Sequence, residues 1–133
     1  MNRVTPIWIR SLKPDQIFVF GSNLKGQHGG GAAKTARTWG AKWGKGIGRS
    51  GQTYAIPTKY DYIRSLPVEE IKPFIDQFIL YAKDHPELIF LVTPIGCGLA
   101  NHDPSDIAPF FRGALKLKNV YLPDKFLKIL NKK

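Results

Sequence analysis

The sequence predicts an α/β protein with a central mixed β-sheet flanked by helices. Short β-branched and aromatic runs recur along the chain, and segments with helical periodicity separate them. One run, Ile89 to Thr93, is apolar almost throughout, as strands buried on both faces of a sheet are. No internal repeat or low-complexity tail interrupts the alternation. With 133 residues, 43% of them apolar, the chain is sized for one compact domain over 1–133, which buries roughly two-thirds of its unfolded surface.

Ile7 to Ile9 and Ile17 to Phe20 read as the first strands. The second breaks into Gly21-Ser22-Asn23 and a loop, and Gly30 to about Trp39 reads as a helix that starts on glycines. Gly40 to Gly51 is expected to form a long irregular connection, and Tyr54 to Ile56 a strand ended by Pro57. Ile71, Phe74, Ile75, Phe78, Ile79 and Ala82 make one apolar helical stripe. Pro67, Glu69 and Glu70 suit its first turn, whereas Pro73 implies a kink or a start near Lys72. His85-Pro86 ends that helix. Asp103 and Pro104 read as N-cap and first residue of the next helix. Val120 to Leu122 is a last strand, and Asp124 caps a basic helix to about Leu130.

Twenty Lys and Arg against ten Asp and Glu give a formal charge of +10. That imbalance favours polyanionic partners such as nucleotide phosphates or nucleic acid, or else a basic solvated surface. No apolar stretch approaches the roughly 20 residues that span a bilayer, and the N-terminus has no signal-peptide pattern. The lone Cys97 has no intrachain disulfide partner. A cytoplasmic protein without membrane contact is the expectation, and the oligomeric state is not legible.

The loops carry the functional signal. Ligands of open α/β sheets bind beyond the carboxyl ends of strands, and both glycine clusters stand there. Gly29-Gly30-Gly31-Ala32 follows the Phe18-Val19-Phe20 run, and Gly96-Cys97-Gly98-Leu99-Ala100 follows Ile89 to Thr93. Glycines admit close backbone approach, and N–H groups at a helix start attract anions, so two facing loops suit a pyrophosphate. Ordinary tight turns use the same residues. No P-loop occurs, the glycines at 44–48 do not match a dinucleotide fingerprint, and the three histidines lack metal-ligand spacing with Cys97 or carboxylates, so neither metal nor cofactor is expected.

Several side chains have two readings each. Asn23 is placed to bind a ribose hydroxyl or to form a turn. His28 is a ribose contact or proton shuttle, or a structural residue. Cys97 is a nucleophile or a small residue for close packing, and no histidine stands near it in sequence as a base. Trp39 and Trp43, among Lys42 and Lys45, suit base stacking or helix packing.

Phe18-Val19-Phe20-Gly21-Ser22-Asn23 followed by His28-Gly29-Gly30-Gly31-Ala32-Ala33 resembles the strand and first ligand loop of macro domains. Ile95-Gly96-Cys97-Gly98-Leu99 is similar to their second loop, in the form of the branch holding terminal ADP-ribose glycohydrolases and DNA ADP-ribosyl glycohydrolase antitoxins. Ala55-Ile56-Pro57-Thr58-Lys59 resembles the antitoxins' N-F-P-T-K segment, and Asp103 with Ile107 to Pro109 echoes their D-W-x-x-[VI]-x-P helix start. A set of small phage and bacterial proteins shares the F-V-F-G-S-N-L-x-G-x-H-G-x-G-A-A pattern. The resemblance covers roughly residues 17 to 115. Two departures stand out: Ala100 occupies the place of an aspartate in the terminal glycohydrolases, and residues 8 to 15 lack the family's adenine-reading G-D-[IV] turn, leaving Asp15 as a displaced candidate.

The resemblance implies a three-layer macro-domain-like fold and ADP-ribose or an ADP-ribosylated substrate as ligand. It further implies Lys59 as nucleophile with Asp103 as its acidic partner. A neutral lysine amine would attack the anomeric carbon, open the ribose ring and release the attached group. His28 joins them as a candidate acid–base group. Three expectations follow: a glycohydrolase acting on nucleic acid, protein or a small molecule; a non-catalytic ADP-ribose module; and a basic nucleic-acid-binding protein.

Overall fold

The computed structural model describes residues 3–131. Its elements are β1 (Gln16–Asn23), α1 (Gly31–Ala36) with a 3-10 turn at Arg37–Trp39, β2 (Gly48–Ser50), β3 (Thr53–Lys59), α2 (Val68–Asp84), β4 (Ile89–Val92), α3 (Pro104–Ile107) running into a 3-10 stretch at Ala108–Ala114, β5 (Val120–Tyr121) and α4 (Asp124–Leu130). The strands form one mixed sheet in the order β2-β3-β1-β4-β5. β1 lies parallel to both β3 and β4, β4 is parallel to β5, and only β2 runs antiparallel.

Strand alternation divides the sheet's side chains between two layers of helix. Phe18, Phe20 and Ala55 point to one side, where Ala33 and Ala36 of α1 cover them and Trp39 packs over Phe18 at 5.0 Å. Ile17, Val19, Tyr54 and Ile56 point to the other side, onto Ile71, Ile75 and Phe78 of α2 and onto Phe111 and Phe126. The apolar stripe of α2 is thus its buried face, as its periodicity predicts. Burial pushes the Tyr54 hydroxyl up to about 12, with a smaller contribution from neighbouring Tyr81.

Four local expectations change. Ile7 to Ile9 is not a strand: Ile7 and Trp8 are exposed, and only Ile9 packs against the α1-side cluster. The sheet is met one step earlier, where Thr5 N–H donates to the Leu122 carbonyl and Val4 bridges Leu122. Pro57 does not end β3, which continues to Lys59. Its partner on β1 is Ser22, where the register shifts, and a bulge is where a strand tolerates a missing donor. Thr58 Oγ1 donates to the Ser22 carbonyl at 3.2 Å and supplies a bond there. Pro73 lies inside α2, which begins at Val68. Pro73 and Glu69, whose carbonyl it leaves without its helical donor, are both exposed, so the missing bond falls on the solvent-facing side of the helix. The 40–51 connection contains β2, which a tight turn at Gly51-Gln52 folds back onto β3. Among the described residues no helix is long and apolar enough to cross a membrane.

Candidate functional site

The chain leaves neighbouring strands β1 and β4 in opposite directions. From β1 it passes to α1 on one side of the sheet, and from β4 it passes to α3 and the 108–114 stretch on the other. Such a switch point opens a crevice beyond the carboxyl ends of the two strands. A cleft of about 450 Å³ lies there, within the size range of small-molecule sites. Gly30 to Ala33 form one wall and Gly96 to Ala100 the other, with Asn23, Lys59, Tyr62 and Lys125 completing it. Its lining holds two lysines and no carboxylate.

The walls are held differently. On the first, the Asn23 amide closes a turn: its Oδ1 accepts from Gln27 N–H and its Nδ2 donates to the Gln27 carbonyl, both at 2.9 Å. The N–H groups of Gly31, Ala32 and Ala33 open α1 without an intrahelical acceptor and without a side-chain cap. On the second wall, Ser65 Oγ donates to the Ala100 carbonyl at 2.9 Å. His102 Nε2 lies 2.8 Å from the Leu66 carbonyl, fastening the loop to the chain before α2. The N–H groups of Gly98, Leu99 and Ala100 have no protein acceptor among the described residues. The walls meet over Gly30, where a Cβ would stand 3.4 Å from both Leu99 Cδ1 and the Tyr62 hydroxyl.

Lys59 reaches the cleft from the end of β3. Its Nζ donates to the Tyr62 carbonyl at 2.6 Å and lies 5.7 Å from the centre of the Tyr62 ring. The 61–64 turn that presents Tyr62 is organised by Asp61, whose carboxylate accepts from the N–H groups of Ile63 and Arg64. Arg64 N–H foremost, then Ile63 N–H, hold that carboxyl down at about 2.

The other expected site residues are distributed as follows. Asn23, Gly30, Gly31, Ala32, Lys59 and all of Gly96 to Ala100 border the cleft. Gly29 does not line it and lies against the Tyr62 ring. His28 is fully buried beneath the loop, 5.3 Å from the Phe20 ring, with Nε2 donating to the Lys45 carbonyl at 3.0 Å. It borders no part of the cleft. Asp103 caps α3: its carboxylate accepts from the Ser105 N–H and hydroxyl, which lower its pKa in that order. No salt bridge joins it to Lys59 among the described residues. Cys97 is half-buried, and burial pushes its thiol up to about 11 against the opposing pull of Lys125, which is the protonated, unreactive form at neutral pH. Asp15 stands before the first residue of β1, at the end of the sheet remote from the cleft, and so reads no ligand there.

Tyr62, Lys125 and Gln27 are cleft residues that the sequence did not single out. Only the return of α4 beneath Cys97 and the turn after β3 bring the first two in. Comparison with known protein families, with curated proteins and with solved structures finds no match.

Proposed function

We propose that the cleft binds ADP-ribose or an ADP-ribosyl group, with the diphosphate held between the two glycine loops. One observation carries this reading: two loops with unpartnered backbone N–H groups face each other across a space that contains Lys59 and Lys125 and no carboxylate. Backbone donors converging with two cations make an anion site of diphosphate dimensions, and the absence of acidic side chains removes the repulsion such a ligand would meet. The resemblance of both loops to those of macro domains supplies the adenosine and ribose portions of the assignment.

Binding is the better-supported half. Glycosidic hydrolysis through Lys59 is favoured by its place on the wall where the A-I-P-T-K resemblance puts it. Against that, its amine is engaged with Tyr62 and Asp103 is engaged with Ser105, so the pair is not assembled for attack.

Calorimetric titration with ADP-ribose, and with AMP and NAD as controls, tests the proposal. The expected result is micromolar, ADP-ribose-selective binding that weakens by about 10- to 100-fold in Lys59→Ala, the scale of one charge-assisted contact. Absence of binding by the intact protein overturns it. Release of ADP-ribose from ADP-ribosylated DNA or protein, lost in Lys59→Ala, would add the hydrolytic half.

A further inference from the structure

The positive charge is not spread evenly. Residues 16 to 60 contain seven Lys and Arg, from Lys25 to Lys59, and not one Asp or Glu. This stretch builds β1, α1, β2 and β3 together with the connection at 40–47, which lies beside α1. The α2 side, by contrast, carries Glu69, Glu70, Asp76 and Asp84. On the α1 side, Lys34, Arg37 and Lys42 therefore have no carboxylate within this stretch to pair with. All three are exposed and make no salt bridge among the described residues.

Exposed indoles accompany those cations. Trp39 packs inward on Phe18, which accounts for it structurally. Trp43 does not: it is 60% exposed, and its ring carries the Arg37 guanidinium 5.5 Å from its centre. Trp8 is 79% exposed, on the segment whose Ile9 and Leu12 pack against the α1-side cluster. Folding buries neither ring, so neither is explained by the core.

The loop bearing Trp43 is held firmly. Gly44 N–H donates to the Gly26 carbonyl at 2.9 Å, Ser22 Oγ donates to the Gly46 carbonyl, and His28 donates to the carbonyl of Lys45. A backbone held in this way leaves only the side chain of Trp43 to be ordered on binding.

We infer that the α1 side, around Trp43, Arg37, Lys34 and Lys42 and toward Trp8, is a binding surface for single-stranded nucleic acid outside the cleft. Flat rings interleaved with cations match unpaired bases alternating with phosphates. Duplex DNA fits less well: α1 has six residues and is followed by only one 3-10 turn, too short to lie along a major groove. A bilayer interface fits less well too, since the Trp43 face would have to carry the Arg37 charge into the acyl boundary. This inference stands apart from the ADP-ribose reading.

Fluorescence anisotropy with labelled oligo(dT) and oligo(U) tests it, alongside a mixed-sequence duplex and phosphatidylserine-containing vesicles. Single strands are expected to bind best, with log K falling against log salt at a slope of about −2 if the three cations meet phosphates. Trp43→Ala should weaken binding roughly 5- to 100-fold, and Trp8→Ala gives a second, independent ring deletion. Lys34→Gln with Lys42→Gln should flatten the slope by about 1.4, whereas Lys72→Gln on the α2 side should change nothing. Saturating ADP-ribose should not displace the oligonucleotide. Displacement, preference for duplex or vesicles, or unchanged affinity in folded Trp43→Ala and Trp8→Ala would each overturn the inference.

Discussion

The two sides of the sheet differ in what they have to do. The α2 side gathers twenty buried residues from the facing side chains of the strands, from α2, the 108–114 stretch and α4, and from their connections, including the edge-to-face pairs of Phe78 with Tyr54, Phe90 and Phe111. The α1 side buries five, three of them alanines. Apolar burial is the main favourable term in folding, so stability is concentrated on the first side. The second retains the exposed indoles and the acid-free stretch. The cleft lies where they meet. Its Gly96–Ala100 wall is rooted in the large core through Ile95 and Cys97, and its Gly30–Ala33 wall rests on the small cluster. One wall belongs to the part that folds most firmly, the other to the part with least packing to lose.

The largest test of this contrast is core truncation. Phe78→Ala removes a fully buried ring from the centre of the large core and should cost about 3–5 kcal/mol in denaturant unfolding. Trp39→Ala, on the half-buried edge of the small cluster, should cost about 1–2 kcal/mol despite deleting a larger ring. Equal losses would show that the α1 side contributes to the global fold as much as the α2 side, and the contrast would fail.

A smaller effect separates two glycines near the cleft. A Cβ at Gly46 would stand 2.0 Å from the Asn23 carbonyl oxygen, backbone against backbone, whereas one at Gly98 meets nothing within 4 Å. Gly46→Ala must push the 42–46 loop off the Asn23 turn, at about 1–3 kcal/mol. Because that turn borders the first wall, ADP-ribose affinity in the same titration should fall along with stability. Gly98→Ala should leave stability unchanged, so any loss of affinity there reports ligand approach to the second wall. The reverse pattern would place the strain in the wrong wall.

How much of this was readable beforehand depended on the range of the interaction that decides each feature. α2 declares itself through its own stripe, and β1, β3 and β4 through local residue types. β2 is only Gly-Arg-Ser and exists because a tight turn lays it on β3, so no local signal could reveal it. Ile7 to Ile9 has strand-forming residues but passes over a layer that has no sheet edge to accept it. At the cleft the glycines mark where the chain turns, but facing walls require β1 and β4 to be neighbours, a property of the topology. The chemistry of Asn23 and His28 was visible in their types. That Gln27 and Lys45 already occupy them is set by tight packing of loop on loop.

The smallest effect concerns pH and the wall rooted in the large core. Burial raises the Cys97 thiol from 9.0 to about 11, which means that the fold favours the protonated form. The sign follows: a group whose folded pKa lies above its unfolded one stabilises fully below the unfolded value, and that contribution is lost as pH rises through the folded one. The second wall should therefore keep its contribution up to about pH 9 and lose it toward 11. The rate of Cys97 alkylation by iodoacetamide, followed against pH, is expected to stay low at pH 8 and to climb with a midpoint near 11 rather than 9.0. Cys97 is the only cysteine, so the profile reports this position alone. A midpoint at or below 9.0 would mean that the thiol is solvated and that the Gly96–Ala100 wall moves as freely as its neighbour. The asymmetry between the walls would then be confined to the core beneath them.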